Sequence, residues 1–224
     1  MRDHAHTPAI EDYVKAIWLI DERGEATTGN AIATQLGISQ ASVSAMIRKL
    51  DELGLVSHEA YRPVQLTDRG RLVALEVVRH HRLLELFLSE TLGMSWDRIH
   101  AEAEVLEHHI SEELEDLIAA KLGHPEFDPH GHPIPKRDGS VPVLTVSPVA
   151  SLPIGAQGTL RQVRDETSAV LRFLEDRGVV VGARITVVDQ SVHAGTTTLQ
   201  VGDAPEQVTI GTELARHIDM ELDD

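Results

Sequence analysis

The segment "GNAIATQLGISQASVSAMIRKLDELGLV", Gly29–Val56, decides the fold of the N-terminal part of the chain. Its apolar side chains recur at helical spacing on both sides of the turn "GIS", which predicts helices over Asn30–Leu36 and Gln40–Leu53. Ser39 is a favourable N-cap for the second helix, and Gly54 is expected to end it. Two helices joined by such a short turn are typical of a helix-turn-helix.

The segments on either side of this motif complete a predicted N-terminal domain. Before it, "IEDYVKAIWLID" carries apolar side chains at helical spacing, with Trp18 as the expected core residue. After it, "VSHEAYRPVQLTDRG" predicts two short strands, Val56–His58 and Val64–Leu66, around a turn at Arg62–Pro63. Helices followed by a β-hairpin indicate a winged helix-turn-helix, which we place at residues 1–72.

The remainder of the chain divides into a helical, a proline-rich and a strand-rich segment. Apolar residues at helical spacing predict helices over residues 73–123. Their apolar surface is larger than one packing contact within the chain requires, so we expect this segment to be a dimerisation domain. Seven prolines among residues 124–153 exclude a helix, so we expect an extended linker at 124–150. The alternating stretches that follow, with one helix near residues 168–177, predict a small β-barrel over 151–224. The expected fold class is mainly α with a β-barrel.

The composition limits the classes of partner. A formal net charge of −16 argues against a non-specific nucleic-acid coat, although a specific DNA reader with one basic face stays open. The chain has no cysteine, which excludes disulfides and thiolate metal sites. No apolar run approaches the roughly 20 residues that cross a bilayer, and no signal-peptide pattern precedes the first helix. We therefore expect a cytoplasmic protein with no membrane partner.

The second helix of the helix-turn-helix is the candidate DNA-reading element. Small polar residues at its N-terminal end permit close approach to base edges, and a helix N-terminus favours phosphate. No arginine or asparagine stands at this end, so specificity is expected from thymine methyl groups and DNA shape. A winged helix used only for protein contacts stays an alternative. The predicted DNA-binding residues are Ser39, Gln40, Ala41, Ser42, Ser44, Arg48, Lys49 and Arg62.

The stretch "HAEAEVLEHH", residues 100–109, is the candidate metal-binding element. If it is wound into one helix, a single face carries His100, Glu104, Glu107 and His108. Carboxylates packed this closely repel one another, and a divalent cation relieves the repulsion. Carboxylates with one or two imidazoles suit Mn²⁺ or Fe²⁺. A solvated acidic helix face with incidental histidines is the alternative, and the absence of an HExxH motif disfavours a zinc hydrolase.

Further donors lie elsewhere in the chain. His81 and Glu85 are spaced i, i+4 on the preceding long helix, and Asp12 lies near the start of the first helix. His80 and His109 are neighbours of these donors but point about 100° away from them, so we expect them on the surface or behind the ligands.

Six motifs, taken in order, resemble the diphtheria-toxin-repressor and manganese-transport-regulator family. They are "EDYVKAIW", "GISQASVSAMIRKLDELGLV", "LTDRGR", "RHHRLLELFL", "HAEAEVLEHHISEELE" and "DPHGHPIP". The resemblance covers essentially the whole chain. It implies a dimeric, metal-activated repressor with an N-terminal winged helix, a helical dimerisation domain and a C-terminal SH3-like barrel of the FeoA type.

The resemblance also implies two metal clusters. The iron-sensing members carry Met and Cys where this chain has Asp12 and Glu104, so the chain resembles the manganese-sensing branch. Short manganese regulators have a glutamate at the position of Lys15, so we expect two separate metal sites instead of two adjacent ions. The implied primary cluster is Asp12, Glu104, Glu107 and His108, and the implied ancillary cluster is His81, Glu85, His100 and Asp165, with Glu166 less favoured than Asp165.

The function predicted from the sequence is a manganese-dependent repressor and not an enzyme. It is expected to act as a homodimer with two Mn²⁺ per chain, to bind double-stranded operator DNA and to control metal-uptake genes. An iron(II)-dependent repressor of the same family is the alternative, and Fe²⁺ is a possible cofactor. We expect no small organic substrate, and we assign no metal to the linker histidines His124, His130 and His132.

Overall fold

The structure is a computed structural model that describes residues 6–59, 62–164 and 167–223. The chain forms two compact units, each made of three segments. Unit 1 comprises residues 1–81, 104–121 and 135–141, and unit 2 comprises residues 82–103, 122–134 and 142–224. Among the described helices, none combines the length and the apolar character needed to span a membrane.

The helix-turn-helix lies in unit 1 and matches its prediction closely. The Ser39 hydroxyl accepts a hydrogen bond from the Ser42 N–H at 3.3 Å and so caps the second helix, while Gly54 follows that helix with φ 68°. The two strands pair antiparallel with Val56 opposite Leu66. The elements are α1 Pro8–Glu22, α2 Gly29–Leu36, α3 Gln40–Glu52, β1 Val56–Ser57 and β2 Gln65–Leu66.

One aliphatic core holds these elements together. The apolar faces of α1, α2 and α3 pack around Ile17 and Trp18, which are 1% and 4% exposed. The wing is tied to this core by Gly70, where a Cβ atom would lie 1.9 Å from the Leu55 carbonyl oxygen. Only glycine permits such a close approach of two backbones.

Three further helices follow, and one of them differs from its prediction. They are α4 Asp68–Leu92, α5 Ile99–Leu106 and α6 Glu112–Lys121. We expected one helix to run through His109, but α5 ends at Leu106 and residues 107–109 form a turn. Ser111 provides the reason, because its hydroxyl accepts the Leu114 N–H at 3.2 Å and starts a new helix.

The proline-rich segment, for which we expected an extended linker at 124–150, is divided between the two units. No helix forms between residues 122 and 146, all of which are described, as the prolines predict. However, residues 135–141 belong to unit 1, and the flanking residues belong to unit 2. Ile134 is 1% exposed. Proline removes backbone donors, but it does not prevent the neighbouring side chains from packing into a core.

Unit 2 contains a six-stranded antiparallel sheet in the order β3-β8-β4-β5-β6-β7. Within the described residues no pairing joins the edge strands β3 and β7, so the sheet is open and the predicted closed barrel is not observed. Strand β3 has only two residues, and one of them is Pro148, which lacks an N–H. The strands are β3 Ser147–Pro148, β4 Gln157–Val163, β5 Arg184–Ser191, β6 Thr196–Val201, β7 Gln207–Gly211 and β8 Ile218–Leu222, with helices α7 Ser168–Glu175 and α8 Thr212–Ala215.

The second hydrophobic core lies on one face of this sheet. Buried and exposed residues alternate along β7, where Val208 and Ile210 are buried. A bulge between Leu160 and Gln162 interrupts the alternation in β4, so its buried residues Leu160 and Val163 are three positions apart. Helix α7 contributes Leu171 and Leu174 to the same core. The alternation of apolar and polar residues in the sequence predicted strands in this part of the chain, although it did not show whether the sheet closes.

Candidate metal centre

Three of the predicted ligands meet in unit 1. One donor atom from each of Asp12, Glu107 and His108 lies within 4.8 Å of the other two. His108 Nε2 is 2.9 Å from Asp12 Oδ1 and 3.4 Å from Glu107 Oε1. Neighbouring ligands of an octahedral ion stand about 3 Å apart, so the donor types and their spacing fit a divalent cation.

Two carboxylates hold the imidazole of His108 at its two nitrogens. Nε2 faces Asp12, while Nδ1 lies 2.6 Å from Glu11 Oε2. The hydrogen bonds to Asp12 and Glu11 raise the pKa of His108 to about 10, although burial opposes them. The metal-free imidazole is therefore a cation at neutral pH. A metal bound at Nε2 would replace that proton, and Glu11 would keep Nδ1 protonated.

Glu11 was not among the residues predicted from the sequence. It precedes Asp12 directly, and adjacent residues on a helix point about 100° apart, so helical spacing separates their side chains. The structure shows that the His108 ring spans this angle and contacts both carboxylates. The only sequence feature that pointed to Glu11 was the acidic pair "ED". Such pairs are too common to predict which residue orients a histidine ligand.

Lys15 places a buried ammonium group among the predicted ligands. Its Nζ lies 2.6 Å from Glu104 Oε1, 2.8 Å from Glu107 Oε2 and 3.3 Å from His81 Nδ1. Burial alone would lower the pKa of this ammonium, but the charges of Glu107 and Glu104 raise it above the ordinary value. Glu104 lies outside the group formed by Asp12, Glu107 and His108, and its carboxylate accepts a hydrogen bond from Lys15.

The predicted ancillary ligands are only partly brought together. In unit 2, Glu85 Oε1 lies 3.2 Å from His100 Nδ1, and the Glu85 side chain is 1% exposed. In unit 1, His81 Nδ1 lies 2.5 Å from Glu107 Oε2, which places it beside a primary ligand. Asp165 and Glu166 lie outside the described residues. The four-residue ancillary cluster therefore stays a prediction.

His80 is buried, which excludes the surface position considered for it. Its Nε2 lies 3.1 Å from Glu115 Oε2, and Arg79 Nε lies 2.5 Å from the other oxygen of the same carboxylate. Burial raises the pKa of Glu115, but hydrogen bonds from His80 and Arg79 outweigh it and lower the pKa to about 2. His109, by contrast, is exposed.

The candidate DNA-reading face of α3 is exposed as predicted. Val43, Ile47 and Leu50 turn inward and are at most 4% exposed. The Ser44 hydroxyl donates a hydrogen bond to the Gln40 carbonyl at 3.0 Å, so its proton is used within the helix. The eight predicted DNA-binding residues are all exposed, namely Ser39, Gln40, Ala41, Ser42, Ser44, Arg48, Lys49 and Arg62.

Comparison with known proteins shows the family. Three family models match consecutive parts of the chain: the N-terminal DNA-binding domain of iron-dependent repressors at residues 6–64, their metal-binding and dimerisation domain at 67–136, and the FeoA domain at 147–222. The iron-dependent repressor IdeR of Mycobacterium leprae is 31% identical over 224 residues, covering 94% of this chain and 96% of that protein. The chain belongs to the iron-dependent repressor family. The resemblance identified from the sequence motifs is thereby confirmed.

Manganese-dependent members of this family are also similar to the chain. A solved structure described as a manganese-dependent transcriptional repressor in complex with manganese matches with a TM-score of 0.88 and 39% identity, over 94% of this chain and 98% of that one. The regulator MntR of Geobacillus kaustophilus is 39% identical over 113 residues, covering 50% of this chain and 79% of that protein. This family member is thus a metal-dependent transcriptional repressor and not an enzyme.

Proposed function

We propose that this repressor responds to manganese, binds operator DNA as a homodimer when Mn²⁺ occupies its sites, and controls metal-uptake genes. The observation that carries the proposal is the donor set of Asp12, Glu107 and His108, which supplies carboxylate oxygens and one imidazole. The chain has no cysteine anywhere. Oxygen-dominated donors suit Mn²⁺, whereas thiolate and thioether ligands favour softer ions.

Asp12, Glu107 and His108 would hold the ion, and Glu104 would join them on leaving Lys15. Bound Mn²⁺ supplies positive charge that relieves the repulsion between the carboxylates. Asp12 belongs to α1, whose Val14 and Ile17 side chains are buried in the core of the helix-turn-helix. Glu107 and His108 belong to the turn after α5. These ligands would therefore tie the position of α1, and the reading helix packed with it, to that turn.

A second ion per chain is proposed at the ancillary cluster of His81, Glu85, His100 and Asp165. The 3.2 Å approach of Glu85 Oε1 and His100 Nδ1 supports it. The separation of the sites is supported by Lys15, because its ammonium occupies the space beside Glu104 and Glu107 that an adjacent ion would need.

Homodimer formation would present two copies of α3 to DNA. Two recognition helices read successive major grooves when they are about 34 Å apart, or a multiple of that distance. Exposed apolar residues around α6 support a protein–protein contact, since Leu114 is 48% exposed and Leu117 is 62% exposed. Arg48, Lys49 and Arg62 would contact phosphates, and the small residues at the start of α3 would approach the bases.

An iron(II)-dependent repressor is the second candidate, favoured by the full-length similarity to the iron-dependent IdeR repressors. The two candidates separate in one experiment. Operator fragments are first selected from a random pool of DNA duplexes with the metal-loaded protein. Binding of the protein to a selected fragment is then followed by fluorescence anisotropy, without oxygen, at equal free concentrations of Mn²⁺ or Fe²⁺. Manganese dependence predicts tight binding at free Mn²⁺ concentrations at which Fe²⁺ has little effect, and the reverse order would establish the iron-dependent alternative.

The ligand assignment is tested in the same assay with Asp12→Asn. This change keeps the size of the side chain and removes its charge, so activation by Mn²⁺ should weaken at least tenfold. Asp21→Asn is the matched control, because Asp21 is an exposed acid on the same helix. Equal activation of both variants would refute the placement of the metal at Asp12.

A further inference from the structure

Thr27 joins the wing of unit 1, the hairpin of β1 and β2, to the helix-turn-helix. It lies in the segment between α1 and α2. The Thr27 carbonyl accepts the Val64 N–H at 3.0 Å, and the Thr27 hydroxyl donates a hydrogen bond to the Val64 carbonyl. We propose that Thr27 is a positioning residue for operator binding, which holds the wing so that Arg62 reaches a DNA phosphate. The inference rests on the phosphate contact of Arg62 in the proposed function.

The wing has few backbone hydrogen bonds of its own. Among the described residues, β1 and β2 have two residues each and pair in two positions. An isolated two-stranded hairpin is at best marginally stable in water, so a wing this short takes its position from the elements that it contacts. The two hydrogen bonds between Thr27 and Val64 supply such an attachment, at the residue directly before β2.

Burial makes this attachment rigid. Thr27 is 5% exposed and Val64 is 2% exposed, and Val64 belongs to the core of the helix-turn-helix. A buried carbonyl that loses its donor is costly, so the Thr27 hydroxyl favours one position of the Val64 backbone. Packing leaves space here, because a cavity of about 320 Å³ is bounded by α1, the wing and the start of α4, with Ile17 and Thr27 in its lining. The hydrogen bonds therefore set the wing position where side chains do not fill the space.

Pro63 transmits the constraint from Val64 to Arg62. The proline ring fixes its own φ at about −65° and restricts the backbone of the residue before it. The Arg62 side chain is 73% exposed, and its Nε lies 3.0 Å from Glu59 Oε2 within the same wing. This ion pair does not tie Arg62 to the helices. The direction of the Arg62 guanidinium therefore depends on where Val64 is held.

The residue after Thr27 links the same segment to the reading helix. Thr28 Oγ1 accepts the Ala31 N–H at 3.1 Å and caps α2, the first helix of the helix-turn-helix. Helix α2 shares a hydrophobic core with α3. Two consecutive threonines thus hold the wing and the start of the helix-turn-helix, which keeps the phosphate contact of the wing in register with the bases under α3.

Operator binding by the full-length protein tests the role of Thr27. The protein carries whichever of Mn²⁺ or Fe²⁺ activates it, and its affinity for a selected operator fragment is measured at several salt concentrations. One phosphate contact contributes about 0.9 to the slope of log affinity against log salt concentration, or about eightfold in affinity at about 0.1 M salt. Arg62→Ala should lose this amount in slope and affinity.

Thr27→Val should show most of the loss seen in Arg62→Ala, because valine keeps the shape of the side chain and lacks the hydroxyl. The double variant Thr27→Val/Arg62→Ala should bind as Arg62→Ala does, since both changes remove the same contact. Thr27→Ser retains the hydroxyl and should recover both slope and affinity. Thr197→Val, the same change at a threonine of unit 2 that is 2% exposed, should alter neither value.

Thermal unfolding of the metal-loaded variants separates positioning from stability. A lower melting temperature of Thr27→Val with an unchanged salt slope would show a purely structural role and overturn the proposal. If Thr27→Val does not fold, Thr27→Ala takes its place in the same measurements. A loss in Arg62→Ala without a loss in Thr27→Val refutes the role of Thr27 alone. An unchanged slope in Arg62→Ala refutes the phosphate contact in the proposed function, and the role of Thr27 with it.

Discussion

The buried ammonium of Lys15 lies 2.8 Å from Glu107 Oε2. It thereby provides, in the metal-free protein, a positive charge tethered beside a carboxylate that is 0% exposed. Glu104 shares the same ammonium at 2.6 Å. Lys15 thus compensates the negative charges of Glu104 and Glu107 before a metal binds. Its removal should therefore lower the stability of the metal-free protein more than that of the metal-bound protein.

Lys15→Met should destabilise the metal-free protein by about 3 kcal/mol, because it leaves the buried Glu107 carboxylate without its cation. Saturating Mn²⁺ should recover much of this loss, since the ion supplies the missing charge. The measurement is urea unfolding with chelator and with Mn²⁺. Lys121→Met, at an exposed position, should change stability by less than about 0.5 kcal/mol in both conditions. A loss of the same size with and without Mn²⁺ would show that Lys15 has only a packing role.

Binding of Mn²⁺ should release about one proton per ion at pH 7.5, because His108 must give up the proton on Nε2. The pKa of His108 is raised to about 10, above the ordinary value of 6.5. Its interactions with Asp12 and Glu11 therefore stabilise the metal-free fold fully below pH 6.5 and are lost as the pH rises toward 10. Apparent Mn²⁺ affinity should rise with pH over the same range, up to tenfold per unit.

Calorimetric titrations in two buffers with different ionisation enthalpies count the protons directly. The variant His108→Gln should show no such release, because glutamine does not titrate. Proton release that persists in this variant would place the titrating group elsewhere.

Glu11→Ala should weaken Mn²⁺ binding by 10- to 100-fold, roughly the cost of removing a carboxylate that orients a metal-bound histidine. Glu11 is a positioning residue, so Glu11→Gln should recover part of the affinity by accepting the same Nδ1–H. In the metal-free protein Glu11→Ala should also lower the pKa of His108, which NMR titration of the ring protons measures. Glu22→Ala, at an exposed acid at the other end of α1, is the control and should alter neither value. An unchanged pKa in Glu11→Ala would contradict the contact.

Gly70→Ala should destabilise the N-terminal unit by about 2–3 kcal/mol or more, because the new Cβ would lie 1.9 Å from the Leu55 carbonyl oxygen. Backbone atoms cannot move aside as a flexible side chain can. Gly29→Ala is the matched control, since a Cβ there meets nothing within 4 Å. Thermal unfolding of both variants makes the comparison, and equal melting temperatures would show that the wing relaxes without cost.

Local sequence patterns, namely helical spacing and capping residues, predicted most of the N-terminal fold. The spacing of Val43, Ile47 and Leu50 predicted the buried face of α3, and Ser39 and Gly54 marked its ends correctly. These features depend on residues within one or two turns of each other, and a chain that forms the helix at all must satisfy them. The end of α5 was missed because Ser111, the cap of the next helix, competes for the same few residues, and periodicity alone does not show which helix prevails.

Side-chain chemistry was also largely present in the sequence. The resemblance of the motifs implied a primary cluster of Asp12, Glu104, Glu107 and His108, and the structure brings Asp12, Glu107 and His108 together. The sequence did not show that Glu104 would pair with Lys15, a residue 89 positions away. Such a pairing depends on how α1 packs against α5, which no local spacing encodes.

The sequence by itself thus determined the order of the main elements, the inward face of the recognition helix and the kinds of ligand the chain offers. The tertiary structure alone decided which ligands meet. It placed the Lys15 ammonium between Glu104 and Glu107, brought Glu11 into contact with His108, and buried Asp128 and His130 in the segment that the prolines had suggested was a linker. The physical reason is one of range: periodicity and capping act over a few residues, whereas charge pairing and burial act between segments that only the packed fold brings into contact.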